Sequence, residues 1–242
     1  VTPAVPVPYD PRNAPGRRTE PVLWADVIND GGKPLAAGMY EDFSGFADMV
    51  ELEKAWWLSP SWPVRTLQRQ SIYVGGVALR AEGPLLMLGR RIIGYSPEDL
   101  YRVSARVRCS TICDGSRVYV GVDAIDVNGN RIQPTDGGGS HYPGGVALLA
   151  PGETRIFEGY FRGLAAVGAG NGVGVGASNP SRPSPLANGA VGFWPLIVVE
   201  DPPGGSSILY VDYIEVEKVE DLVPLPSRPW NATDTQQRGQ VV

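Results

Sequence analysis

From about residue 39 onward, apolar and polar side chains alternate in short runs, and a period of two predicts strands rather than helices. The clearest run is Tyr101–Arg108. Tyr101, Val103, Ala105 and Val107 interleave there with Arg102, Ser104, Arg106 and Arg108, so one face is oily and the other wet. Arg117–Val127 repeats the pattern, with Val118, Val120, Val122 and Ala124 opposed to Tyr119, Gly121, Asp123 and Ile125. Asn128-Gly129 then supplies a tight reversal. Further strands are expected at 72–80, 85–93, 155–162, 172–177, 191–199 and 207–218, with loops at 135–145 (glycine-rich) and 177–189 (rich in Ser, Pro and Asn). Phe46–Trp57 has mixed periodicity and allows a turn or two of helix. The pattern predicts an all-β antiparallel sandwich over residues 39–219.

Prolines at 3, 6, 8, 11, 15, 21 and 34 make residues 1–38 an extended arm. Its apolar island, Val22-Leu23-Trp24 with Val27-Ile28, either packs back on the domain or docks on a partner. Residues 220–242 return to proline and polar composition and read as a tail.

Composition sharpens this picture. With 31 Gly and 23 Pro in 242 residues the chain must turn often, which disfavours long helices. The formal net charge is −5 and the arginines are scattered, so a clustered basic face for nucleic acid is not expected. No stretch has membrane-spanning length, and the first residues lack the charged and apolar regions of a secretion signal. Cys109 and Cys113 form no metal-binding pattern. A bridge between them suits an oxidising exterior, although so short a loop can equally forbid it.

The order of features from Tyr40 to Lys218 resembles the galactose-binding-like jelly roll of carbohydrate-binding modules. Glu41-Asp42-Phe43-Ser44-Gly45 opens it, and tryptophans at 56, 57 and 62, GGVALRAEG at 75–83 and SPEDLYRVSARVR at 96–108 follow. ILYVDYIEVEKV at 208–219 closes it. More narrowly, VYVGVDAIDVNGNRI (118–132) followed by GETRIFEGYFRG (152–163) is similar to segments of phage and gene-transfer-agent structural proteins of tail-fibre or head-spike type. The resemblance implies a virion protein meeting a bacterial surface polysaccharide. Its arm would contact other virion proteins, and many copies or a homo-oligomer would supply avidity.

Asp212 shares parity with Ile208, Tyr210, Ile214 and Val216, and a carboxylate on an apolar face needs a pair, hydrogen bonds or a cation. The resemblance implies a structural calcium held by Asp212 with Glu41 or Asp42, although two carboxylates are a thin ligand set. Sugar sites set flat rings against pyranose faces and surround them with polar groups. The ring candidates are Trp56, Trp57, Trp62, Tyr119, His141, Tyr142 and Trp194. Neighbouring Trp56 and Trp57 must face opposite ways, one into the core and one semi-exposed. Trp194, between Phe193 and Pro195, reads as core. Tyr119 and Asp123 share the wet face of a strand, while His141-Tyr142 falls in the glycine-rich loop. The carbohydrate-binding set is therefore Tyr119, Asp123, His141, Tyr142, Trp57 and Trp62.

Catalysis finds little footing. The single histidine has no triad, no Gly-x-Ser-x-Gly elbow occurs, and the glycines around Gly168 follow no βαβ pattern. Asp123, Asp126, Glu153 and Glu158 could supply the paired carboxylates of a hydrolase by chance, a spacing that sequence does not reveal. Asn231-Ala-Thr matches a glycosylation acceptor, accidental in a phage or bacterial chain. The expectation is a non-catalytic binding protein on a virion surface. Its rivals are a purely structural virion decoration, or an accessory module of a polysaccharide-degrading enzyme.

Overall fold

The computed structural model describes residues 38–58, 65–69, 76–132, 140–166, 176–202 and 205–219. The arm (Gly38 excepted), Trp62, the tail with Asn231, the Gly168 region and most of the strand expected at 172–177 lie outside these residues. Thirteen strands are described: β1 (Met39–Glu41), β2 (Trp56–Leu58), β3 (Arg65–Arg69), β4 (Val77–Glu82), β5 (Leu85–Gly89), β6 (Ile93–Gly94), β7 (Leu100–Cys109), β8 (Arg117–Ile125), β9 (Ser140–Leu148), β10 (Thr154–Leu164), β11 (Ser184–Leu186), β12 (Gly192–Glu200) and β13 (Ile208–Val219). One short helix, α1 (Met49–Ala55), begins at Asp48, whose carboxylate caps the Glu51 N–H.

The strands form two sheets packed as an antiparallel sandwich of jelly-roll type. The first runs β11-β10-β7-β13-β4-β3, with β1 also on β13, and the second runs β2-β5-β12-β8-β9, with β6 also on β12. Only the β10–β11 pair is parallel among the described pairings. The main core lies between the sheets. Val103, Ala105, Val107, Ile214 and Val216 of the first sheet meet Val118, Val120, Val122, Phe193 and Ile197 of the second. Tyr95, Tyr101, Phe161 and Phe193 pack ring against ring, with centroids 5.1–6.2 Å apart.

The glycine-rich stretch expected to be a loop is in large part strand β9. Pro143 hid it. On this outermost strand of the second sheet the missing N–H breaks no pairing with β8, and the Pro143 carbonyl accepts from Ala177 N–H at 3.0 Å. Gly159 of β10 explains how the sheets close here, because a Cβ on it would overlap the Pro143 carbonyl oxygen. Segment 176–177 stitches the two edges, since Gly176 N–H donates to Tyr142 O and Tyr160 N–H to Ala177 O.

Smaller corrections follow the same logic. The helix allowed at 46–57 ends at Ala55, and Trp56 starts a strand. The run at 85–93 breaks after Gly89 and resumes at Ile93, and the loop at 177–189 contains three-residue β11. Cys109 and Cys113 are bridged, which resolves the alternative left open by their spacing.

Candidate functional site

The candidate site is the outer face of the second sheet. Alternation on β8 sends Val118, Val120, Val122 and Ala124 inward and turns Tyr119, Asp123 and Ile125 the other way. Register then sets partners beside them: Trp194 lies opposite Asp123, and Val198 opposite Tyr119. A second apolar cluster forms on this face from Trp57, Leu86, Leu88, Ile92, Ile125, Trp194 and Leu196, with Tyr142 and Val198 partly buried against it.

A buried polar group interrupts that cluster. After β8 the chain reverses at Asn128-Gly129, as the sequence predicts. Gly129 takes φ +75°, and the Asp126 carboxylate accepts from the N–H groups of Asn128 and Asn130. The reversal returns Arg131 against Asp123. Arg131 Nε lies 2.9 Å from Asp123 Oδ2 and its Nη2 lies 3.1 Å from Oδ1, while Ser140 donates its hydroxyl to Oδ1 at 2.8 Å. Side chains so fully enclosed tolerate charge only because each is paired. Asp123 was expected on a wet surface; instead its carboxylate is spent on Arg131 and Ser140.

Above this floor two rings remain partly open. Tyr119 and Tyr142 stand 5.0 Å apart, tilted by 52°. Tyr119 donates its hydroxyl to Glu200 Oε2 at 2.6 Å, with Arg117 beside it. Tyr142 contacts the Ser140 hydroxyl. Burial pushes the Tyr142 phenol above its ordinary range, and burial followed by the Glu200 hydrogen bond does the same to Tyr119. Both rings therefore stay neutral, with Glu200 and Arg117 forming a polar rim of both signs.

The other expected ring residues separate. His141 is buried on β9 opposite Val122, on the core side rather than in an exposed loop; the unrecognised strand is the reason. Trp56 and Trp57 do face opposite ways, yet neither is semi-exposed, because Trp57 belongs to the outer cluster. Trp194 is buried as expected, but in that outer cluster and not between the sheets. Glu200 and Arg117 were missed, since they gain meaning only from the pairing of β8 with β12.

The carboxylates proposed for calcium do not fit a calcium ion. The pairing of β13 with β7 shifts between Val211 and Tyr213, so Asp212 sits in a bulge and the parity argument fails there. Its carboxylate lies 2.9 Å from Arg106 Nε and 3.8 Å from Arg108 Nη2. Glu41 accepts from the Phe43 N–H and Asp42 from Ser44. No group of three or more His, Cys, Asp or Glu placed to hold a metal occurs among the described residues.

The fold and this face together define a jelly-roll sandwich carrying a two-ring aromatic patch with a charged rim. At the level of sequence, neither a family model nor a curated protein matches the chain. Among solved structures it is similar to the CBM22-1 xylan-binding domain of Paenibacillus barcinonensis Xyn10C, at 9% identity and TM-score 0.43 over 75% of this chain and 95% of that one. It is also similar to the C-terminal family 22 carbohydrate-binding module of Clostridium thermocellum Xyn10B, at 11% identity and TM-score 0.45, covering 74% and 92%. A third likeness is to the enzymatically active domain of bacteriophage CBA120 tailspike protein 4, at 8% identity and TM-score 0.38. That match covers 68% of this chain and 19% of the other.

Proposed function

We propose that the chain is a non-catalytic glycan-binding module whose ligand lies across the outer face of the second sheet. The observation that carries this reading is the Tyr119–Tyr142 pair. Two partly open rings 5.0 Å apart rest on an apolar floor, with Glu200 and Arg117 beside them to hydrogen-bond hydroxyl groups. Asp123, Arg131 and Ser140 act beneath the rings as support, fixing β9 and the reversal that flank them. The finer setting, display on a virion and attachment to a bacterial surface polysaccharide, rests on the sequence resemblance. The Cys109–Cys113 bridge is compatible with such an exterior place.

A glycan array probed with the full chain, followed by calorimetric titration of the strongest hit, tests the reading. Tyr119→Ala and Tyr142→Ala should each weaken binding about tenfold or more, near 1.4 kcal/mol, with the near-UV spectrum of the fold retained. An array without a hit, or a hit indifferent to both substitutions, overturns it.

A further inference from the structure

One edge of the first sheet carries a run of backbone that no other described segment pairs. Strand β10 pairs with β7 on one side from Thr154 to Phe161, while on its other side β11 joins only at Phe161 and Leu164. The backbone groups of an antiparallel strand point to alternate sides, residue by residue. Glu153 turns its carbonyl toward β7, where the Cys109 N–H donates to it at 2.8 Å. Tyr160 turns its N–H the other way and donates to the Ala177 carbonyl at 2.8 Å. The even-numbered residues of β10 therefore face outward. Ala177 occupies the edge at Tyr160, and Thr154, Ile156 and Glu158 present their N–H and C=O groups to an edge left open by the described residues.

Ile156 stands at the centre of that run and is 61% exposed. An apolar side chain on an open edge is what edge strands ordinarily avoid, because it invites another strand. The run is also complementary to itself. Laid antiparallel on a second copy, about a two-fold axis through Ile156 and perpendicular to the sheet, it sets Ile156 on Ile156 and Thr154 on Glu158. These are hydrogen-bonded pairs, so each exchanges both N–H···O bonds. The Thr154 hydroxyl then donates to the Glu158 carboxylate of the other copy. Arg155, already held by Glu153, falls opposite Phe157 of the other copy. A slip of two residues sets Ile156 on Glu158 in one direction and leaves Glu158 without a partner in the other.

We propose that β10 pairs in this register with β10 of a second copy, joining the two first sheets edge to edge. Strand β9 follows β10 along this side of the sandwich, since Gly159 sits against Pro143 and segment 176–177 bonds to both strands. The axis stands across the sheets, so the outer faces of both second sheets look the same way. The Tyr119–Tyr142 patches of the two copies then share one surface and can meet one polymer chain, which adds avidity. The pairing itself does not depend on what those rings bind.

Sedimentation velocity of the full chain over a concentration series tests this, and a monomer–dimer equilibrium is expected. Ile156→Lys sets like charges directly opposite each other at the axis and should weaken the dimer at least tenfold. Ile156→Pro removes an outward N–H that β7 does not use, and should do the same with the far-UV spectrum retained. Thr154→Lys sets an ammonium opposite Glu158 of the other copy and should tighten the dimer about threefold or more at low salt. Tyr119→Ala and Tyr142→Ala should leave it intact. A monomer at every concentration up to about 100 µM overturns the proposal, as does a dimer unmoved by both Ile156→Lys and Ile156→Pro. A dimer loosened by Tyr119→Ala or Tyr142→Ala puts the contact on the ligand face and also overturns it, whereas a glycan array without a hit overturns only the glycan reading.

Discussion

Arg131 grips the enclosed carboxylate of Asp123 through two nitrogens, at 2.9 and 3.1 Å, beneath the open rings of the second sheet. The pair joins the residue after a reversal to the strand before it, so the ion pair and the turn hold each other in place. Asp123→Ala strands a buried guanidinium. Urea unfolding should show a loss of about 3–5 kcal/mol, and Asp123→Asn, which keeps a hydrogen-bond acceptor, should lose less. A change under 1 kcal/mol for Asp123→Ala would show that water reaches Arg131 freely.

The Cys109–Cys113 bridge closes a loop with four residues of separation at the end of β7. Chain entropy assigns such a loop about 2 kcal/mol. Reduction, or replacement of both cysteines by alanine, should lower the unfolding free energy by that amount with the sandwich retained in the far-UV spectrum.

At Gly159 the two sheets approach closely, because a Cβ there meets the Pro143 backbone rather than a side chain able to move aside. Gly159→Ala should cost about 1–3 kcal/mol, seen as a lower melting temperature, and Gly159→Val more. Gly152→Ala offers a contrast, since its φ of +77° brings strain with open space around it.

Burial raises the Tyr142 phenol above the ordinary range of a tyrosine. A group whose folded pKa is raised contributes stability that is complete below the unfolded value and lost as pH climbs through the folded one. Stability should therefore fall above about pH 10, and Tyr142→Phe should flatten that fall. Phenolate absorbance followed against pH, with unfolding measured in parallel, checks both.

Alternation along the chain was enough to define the sandwich, the inward sets of β7 and β8, and the shared outer face of Tyr119 and Asp123. It failed wherever a residue's meaning came from a neighbouring strand. Pro143 and the adjacent glycines read as a loop because pattern alone does not reveal that β9 lies at a sheet edge. Asp212 read as facing the core because a single bulged residue reverses parity without leaving a mark on the sequence.

The sequence by itself determined the architecture and the reversal at Asn128-Gly129, since a side-chain period of two and the left-handed turn are local properties of the backbone. Only the tertiary structure decided which rings stay open, that Asp123 is spent on Arg131, and that arginines hold Asp212. Burial and charge pairing depend on which strands lie side by side, and strand pairing is set by packing between residues far apart in the chain.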